Sequence, residues 1–365
     1  MIYDIIFIGA GPASLMAAKE LLEKGLSVLI VEKGKDVNRR KDPICGWFGS
    51  GVSRVNRLEF EDPLFKVHEI KDSINYLKKI SIQKISKKNK YCNLSYETGK
   101  EMAKHFHDLL KDVEVLFDNE VISIVKDGNY FRIETEKKEV IGKKCIIGTG
   151  KYSIEWIKNI SGALGLKNSN KKAKMGIRVE VPTSKIKNYI AEQGDIFVKE
   201  GNLFCEDVRI NSTIGEWTDS EILSSFGYAS IENSRKTNFM IGIEDDVEAC
   251  IRNVKIVNVL NNDKIKKEYM KEFLSSKSIL YNLDAFNSLR AMIDKLECII
   301  PGITDYATVY IPEIRLNGIL NVDNNMMTSL FGLYGIGECT DKVSNLIGAM
   351  ASGIIVAKNL LKENR

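Results

Sequence analysis

Apolar and polar positions divide the chain into segments of recognisable period. Tyr3-Asp-Ile-Ile-Phe-Ile8 is an apolar run of strand length, cut by Gly9-Ala10-Gly11-Pro12. Helical spacing then runs towards Gly25, and Ser27-Val-Leu-Ile-Val31 is a second apolar run closed by Glu32. Strand, glycine turn, helix, strand and terminal acid predict a βαβ unit. Over 68–86, Ile70, Ile74, Leu77, Ile80 and Ile85 sit among lysines, which predicts an amphipathic helix. A helix from Thr98 to Lys111 is expected next. Strands at Val113–Phe117, Glu120–Val125, Tyr130–Glu134 and Lys144–Gly148 follow, and the turn Asp127-Gly128 makes part of this stretch an antiparallel meander.

From Lys174 to about Asp245 the period changes to two. Ile177, Val179 and Val181 alternate with Arg178 and Glu180, as in a strand with one face buried. Helical patterns fill 246–298. The chain then returns to glycine turns at Gly332-Leu-Tyr-Gly-Ile-Gly337-Glu338, ahead of a small-residue helix around Ala349–Ala357. The expected fold class is α/β. A Rossmann-like domain, with a parallel sheet and a small antiparallel meander, takes 1–170 together with 300–365. A second domain of mixed or antiparallel β structure with helices takes 171–299.

At 365 residues the chain suits about two domains. No apolar run reaches the length of about eighteen residues that a membrane span needs, so none is expected. Met1 is followed at once by the first strand and no basic-then-apolar leader is seen, which points to the cytoplasm. The seven cysteines, at 45, 92, 145, 205, 250, 298 and 339, form no Cys-x-x-Cys pair, which argues for reduced thiols rather than disulfides or a zinc site and leaves no adjacent redox pair for a disulfide reductase. Three histidines add little for a metal. With 53 basic against 49 acidic residues, nucleic acid is not an expected partner, and the lysines at 84–90 read as a solvated helix end.

The chemistry lies in the glycine turns. A pyrophosphate needs backbone N–H donors, an unobstructed approach and the positive end of a helix. Gly9 suits the tight turn, Gly11 leaves no Cβ in the way, and Pro12 fits the first helical turn. Glu32 is placed to accept from ribose hydroxyls. Ser14 stands where a third glycine usually serves close packing. Gly148-Thr-Gly150 reads as a return strand passing close to this nucleotide. Glu338 and the start of the final helix place an acid beside N–H donors, a combination suited to ribityl hydroxyls and to negative charge on a flavin ring.

Gly9-Ala-Gly-Pro-Ala13, Glu32, Gly148-Thr-Gly150 and Gly337-Glu338, in that order, resemble the glutathione-reductase/p-hydroxybenzoate-hydroxylase superfamily of FAD proteins. Gly150-Lys-Tyr-Ser153 with Trp156, Met175–Pro182, Phe204-Cys205 and Pro312-Glu313-Ile-Arg315 resemble more closely its FAD-dependent dehydrogenases. That family has aspartate where this chain has Glu338, and its glycine-rich segments are shortened here to Gly46–Gly51 and Glu206–Arg209. The resemblance implies non-covalent FAD held by Gly9, Gly11, Pro12, Ala13, Ser14, Glu32, Lys33, Arg40, Val121, Gly150, Gly337, Glu338, Asn345, Leu346 and Ile347. NAD(P)H would be a transient electron donor without a domain of its own. The implied reaction is hydride transfer through flavin N5 on a C=C/C–C or C=N/C–N bond of a small organic metabolite. Arg178, Cys205, Glu313 and Arg315 are the catalytic candidates: arginine to clamp a carboxylate, Glu313 or Cys205 to give a proton. Each also has a structural reading, as strand surface, buried thiol or local ion pair. A flavin monooxygenase and a non-catalytic FAD-binding or sensing protein are the alternatives.

Overall fold

The structure, a computed structural model, describes residues 1–36, 39, 54–56, 67–80, 91–93, 105–106, 108–151, 153–190, 198–219, 222–229, 234–275, 283–343 and 346–363. Two compact units are formed. One comprises Met1–Cys92, Glu97–Lys171 and Asn317–Arg365, the other Asn93–Tyr96 and Lys172–Leu316.

The first unit begins with β1 (Ile2–Ile8), α1 (Pro12–Leu22) and β2 (Val28–Val31). The short strands β3 (Arg54–Asn56) and β4 (Tyr91–Asn93) and the helix Val67–Ile80 come next, then β5 (Glu114–Leu116), β6 (Val121–Asp127), β7 (Tyr130–Thr135) and β8 (Glu139–Ile147). The main sheet has the order β5-β2-β1-β8-β7-β6. β5, β2, β1 and β8 are parallel, whereas β6, β7 and β8 form the antiparallel meander, turned by Gly128 at φ 57°. β2 is buried along its whole length, the expected state of a parallel strand covered on both faces. β8 begins earlier than expected from its apolar run, because its first half pairs with β7 at the meander.

Of the helix expected over 98–111, most lies outside the described residues, and its end is a 3-10 turn at Leu109–Asp112. The glycine-rich stretch 45–51 and the lysines at 84–90 also lie outside them.

The second unit is a six-stranded sheet with the order β10-β11-β14-β9-β16-β15. Its strands are β9 (Ala173–Pro182), β10 (Val198–Glu200), β11 (Leu203–Arg209), β14 (Lys236–Asp245), β15 (Lys266–Tyr269) and β16 (Thr308–Arg315). The hairpin β12 (Ser212–Asp219) with β13 (Ile222–Ala229) packs beside it, and the helices Val247–Leu260 and Leu289–Ile299 complete the unit.

Three expectations change here. β9 was expected to bury one face, yet both are covered: Val179 and Arg178 are alike inaccessible, because Ser225 of the hairpin hydrogen-bonds the Pro312 carbonyl and Gly227 lies against Arg178. β15 interrupts the helical stretch 246–298; it is a charged edge strand, Lys-Lys-Glu-Tyr, with no alternation to betray it. β16 pairs with β9, which carries this unit to Leu316 instead of 299.

Candidate functional site

β1 and β8 run parallel, so their ends bring Gly9 and Gly148 together. Gly9 has φ 98°, and a Cβ there would stand 2.6 Å from the Gly148 carbonyl oxygen. The turn is fixed by main-chain bonds: Gly9 N–H donates to Val31 O and Gly148 N–H to Ile8 O, both at 2.8 Å. Gly11 caps α1, Pro12 opens it, no side chain caps it, and its first turn holds no acid. Nothing lies nearer than 3.7 Å to the place of a Cβ on Gly11. Packing alone therefore does not require glycine at 11, whereas close approach of a ligand to the backbone does.

Glu32 is buried and spans the turn. Its Oε2 accepts from Ala10 N–H at 2.8 Å and its Oε1 from Gly34 N–H at 2.7 Å. Lys33 stands 3.9 Å from Glu120, both exposed. Val121 is buried in β6, and its carbonyl accepts from the Trp156 indole at 2.7 Å.

Serine at 14 is accommodated by glycine at 148. A Cβ on Gly148 would lie 2.5 Å from Ser14 Oγ. That hydroxyl and Thr149 Oγ1 are both buried without a partner, close to the uncapped start of α1. Unclaimed hydroxyls beside an open helix N-terminus fit the phosphates of a dinucleotide.

A second element meets α1 at Ala13. Gly353 in the last helix, Leu346–Glu363, passes so close that a Cβ would overlap the Ala13 carbonyl, and Gly337 (φ 73°) lies against Ala13 Cβ. β17 (Leu333–Gly335) extends the sheet alongside β8 and delivers this turn. Ser352 Oγ accepts from Gly337 N–H at 2.9 Å, and Thr340 Oγ1 donates to Gly337 O at 2.9 Å. Glu338 lies 3.5 Å from Lys151 Nζ, both partly exposed. Gly150 (φ 76°) is open on its outer side. Ile347 is buried and Leu346 half-buried at the start of the last helix, while Arg40 and Asn345 lie outside the described residues. Cys339 is buried, donates to the Ile147 and Ile336 carbonyls, and burial pushes its thiol up to about 12.

In the second unit the sheet gathers Arg178, Glu313 and Arg315 on one face. Arg178 donates to Glu313 through Nε (2.7 Å) and Nη2 (2.5 Å), a two-point ion pair that is wholly buried. Its Nη2 also reaches Asp207 Oδ2 at 3.0 Å, and its Nη1 the Asp207 carbonyl and Asn238 Oδ1 at 3.2 Å. Arg315 donates to Glu313 at 3.0 Å and to Asp207, and Arg209 reaches the other Asp207 oxygen at 3.0 Å. Burial works against the charge on Arg315, but Asp207, Glu313 and Glu206 outweigh it and hold its pKa above the ordinary value. Arg209 is shifted the other way, by burial first, with Arg178 and Arg315 adding to it against Asp207.

Asp207 and its neighbours Glu206 and Asn238 were not singled out from the sequence. Asp207 has φ 60° at an irregularity in the pairing of β11 with β14, which turns its carboxylate and carbonyl towards Arg178. The charged run Glu206-Asp-Val-Arg209 inside a strand was the available signal. Cys205 does not join this group. Its cross-strand partner is Ile241, which pairs with Ile177, so it lies on the opposite face, fully buried.

A βαβ glycine turn closed by an acid, joined by a second glycine turn from the last strand and helix, defines a dinucleotide-binding flavoprotein fold. The family model for pyridine nucleotide-disulphide oxidoreductases matches residues 3–184. The digeranylgeranylglycerophospholipid reductase of Methanothrix thermoacetophila is 36% identical over 73 residues, 20% of this chain and 18% of the relative. Glycine oxidase from Geobacillus kaustophilus has a similar structure (TM-score 0.52, 12% identity, 99% of this chain and 95% of that one), as does a flavoprotein/dehydrogenase from Cytophaga hutchinsonii (0.50, 15%, 100% and 79%). The chain belongs to the NAD(P)/FAD-dependent oxidoreductases. It matches under a fifth of the length of that curated relative.

Proposed function

We propose that this protein is an FAD-dependent reductase acting on a C=C or C=N bond of a small organic metabolite, with NAD(P)H as a visiting electron donor. The observation that carries the reading is the turn at Gly9–Ser14, uncapped, free of acids and closed against Gly148. The direction of reaction is supported by the relative named a reductase. FAD, when bound, supplies a ring whose N5 accepts or gives a hydride.

The chain's own residues bind and orient. Backbone N–H groups at the start of α1 take the pyrophosphate, with Ser14 and Thr149 as nearby hydroxyl donors. Glu32 holds the turn through Ala10 and Gly34 and keeps further lone pairs for ribose hydroxyls. Glu338, one methylene longer than the family's aspartate, takes the ribityl contacts. In the second unit Arg315, with 23% of its side chain exposed, is the group that meets an anionic part of the substrate. Arg178 and Glu313 position it from beneath, and Cys205 serves as core.

The test is the visible spectrum of the purified protein, before and after anaerobic NADH, NADPH and dithionite. Flavin absorbance bleached by a nicotinamide supports the reading. A colourless protein that FAD does not reconstitute overturns it, and a flavin that only dithionite reduces overturns the nicotinamide step. Oxygen uptake that rises with an organic substrate would point instead to a monooxygenase.

A further inference from the structure

The second unit ends at Leu316, and the chain re-enters the first at Asn317. The residues that follow form neither strand nor helix, yet Leu316, Gly318, Ile319 and Leu320 are all buried. Backbone holds them from two sides. On one side Ser169 N–H donates to Ile319 O at 2.7 Å, and Asn168 pairs with Leu320 as an isolated antiparallel bridge. On the other lies the turn that carries Glu338: Leu320 N–H donates to Cys339 O at 3.0 Å, and Asp341 N–H to Leu320 O at 3.1 Å.

Gly318 makes the closest approach to that turn. A Cβ there would overlap the carbonyl oxygens of Glu338 and Thr340 and the carbonyl carbon of Cys339. Its backbone is not left-handed, so conformation does not call for glycine; only the nearness of the turn does. All three obstacles are main chain, which cannot swing aside as the end of a side chain can. Other holds on the turn come from the nucleotide-binding elements: Ser352 in the last helix accepts from Gly337 N–H, and the Cys339 thiol donates to Ile147 O in β8. Residues 317–320 support it from outside those elements.

We propose that this stretch is the seat that sets the backbone of Glu338 for the ribityl half of FAD, with Gly318 as a positioning residue. The inference rests on the FAD reading above, in which the adenosine half is held separately, at Gly9–Ser14 and Glu32. Gly318 follows Arg315 by three residues, so one short stretch of chain carries both the guanidinium assigned to the substrate and the seat of the flavin turn.

The test compares the full chain with Gly318→Ala. Affinity for FAD is read by quenching of its fluorescence, and affinity for ADP, which offers the adenosine half alone, by calorimetry. FAD should bind about tenfold more weakly or worse in the variant, while ADP changes by less than about twofold. A merely structural role would weaken both alike. Amide hydrogen exchange of the unaltered chain is a second measurement that needs no variant. At concentrations that protect β1 equally, FAD should slow exchange across 316–322 and 338–343 more than ADP does. Unchanged FAD affinity in Gly318→Ala, an equal loss for FAD and ADP, or no protection by FAD beyond that by ADP overturns the proposal. An unaltered chain that binds ADP but not FAD overturns the FAD reading itself, and this proposal with it.

Discussion

Glu313→Ala removes three acceptor contacts at once: 2.7 Å and 2.5 Å to Arg178 and 3.0 Å to Arg315. A hydrogen bond to a charged group contributes about 1.5–3 kcal/mol, so the gross loss exceeds that of any exposed ion pair. Arg178 is not stranded completely, since Asp207 and Asn238 still accept from it. Its guanidinium nonetheless stays buried with one carboxylate where it had two. Breaking a buried pair by deleting one partner costs about 3–5 kcal/mol, and we expect the lower half of that range here. Glu313→Gln keeps the shape and one acceptor and should cost about 2 kcal/mol. Adding Arg178→Met to Glu313→Ala removes the under-paired cation, so the double variant should be more stable than the sum of the single effects by about 1–3 kcal/mol. Denaturant unfolding followed by fluorescence of Trp217, which lies in this unit, measures all three, with a shift of midpoint at constant slope. The exposed pair Lys19–Glu23, 3.3 Å apart, is the control, and Lys19→Ala should cost no more than about 0.5 kcal/mol. If Glu313→Ala costs under about 1 kcal/mol, the cluster does not carry stability as reasoned.

Gly9→Ala places a Cβ 2.6 Å from the Gly148 carbonyl at a positive φ; loss of bound flavin on gel filtration and a lower melting temperature are expected, and full flavin retention would contradict the close-approach reasoning. Gly148→Ala meets Ser14 Oγ at 2.5 Å, so it should destabilise by about 1–3 kcal/mol, and Ser14→Ala in the same chain should recover part of that loss, as read by denaturation. Burial alone would raise the pKa of Asp4, but hydrogen bonds from Lys143 and Ser27 outweigh it and lower it. A carboxyl with a folded pKa below its unfolded value adds stability at neutral pH that is lost as pH falls through the folded pKa, so Asp4→Asn should flatten the acid limb of a stability-against-pH curve below about pH 4.

The first unit was largely legible because each signal was local. Tyr3–Ile8, Val28–Val31 and the turn between them lie within one short stretch, and the meander announces itself at Asp127-Gly128. The reciprocal fit of Ser14 and Gly148 was not legible, since it depends on two strands whose paired positions are 139 residues apart being parallel neighbours. β15 was missed for the opposite reason. An edge strand needs charge more than alternation, and Lys266–Tyr269 has the composition of a solvated helix.

Arg178 shows where reading by period stops. Alternation along Met175–Val181 correctly separates the two faces of β9, but period carries no information about what covers each face. The β12–β13 hairpin supplies the cover, and the polar side chains beneath it are tolerated only because Glu313, Asp207 and Asn238 arrive from three other strands to pair them. A charge on an alternating strand is an outer face only when no opposite charges are available to follow it inward. Here Pro312-Glu313-Ile-Arg315 and Glu206-Asp-Val-Arg209 were those charges. Two short charged runs inside apolar strands, each with an acid and an arginine two residues apart, were therefore the readable sign of a buried ionic layer.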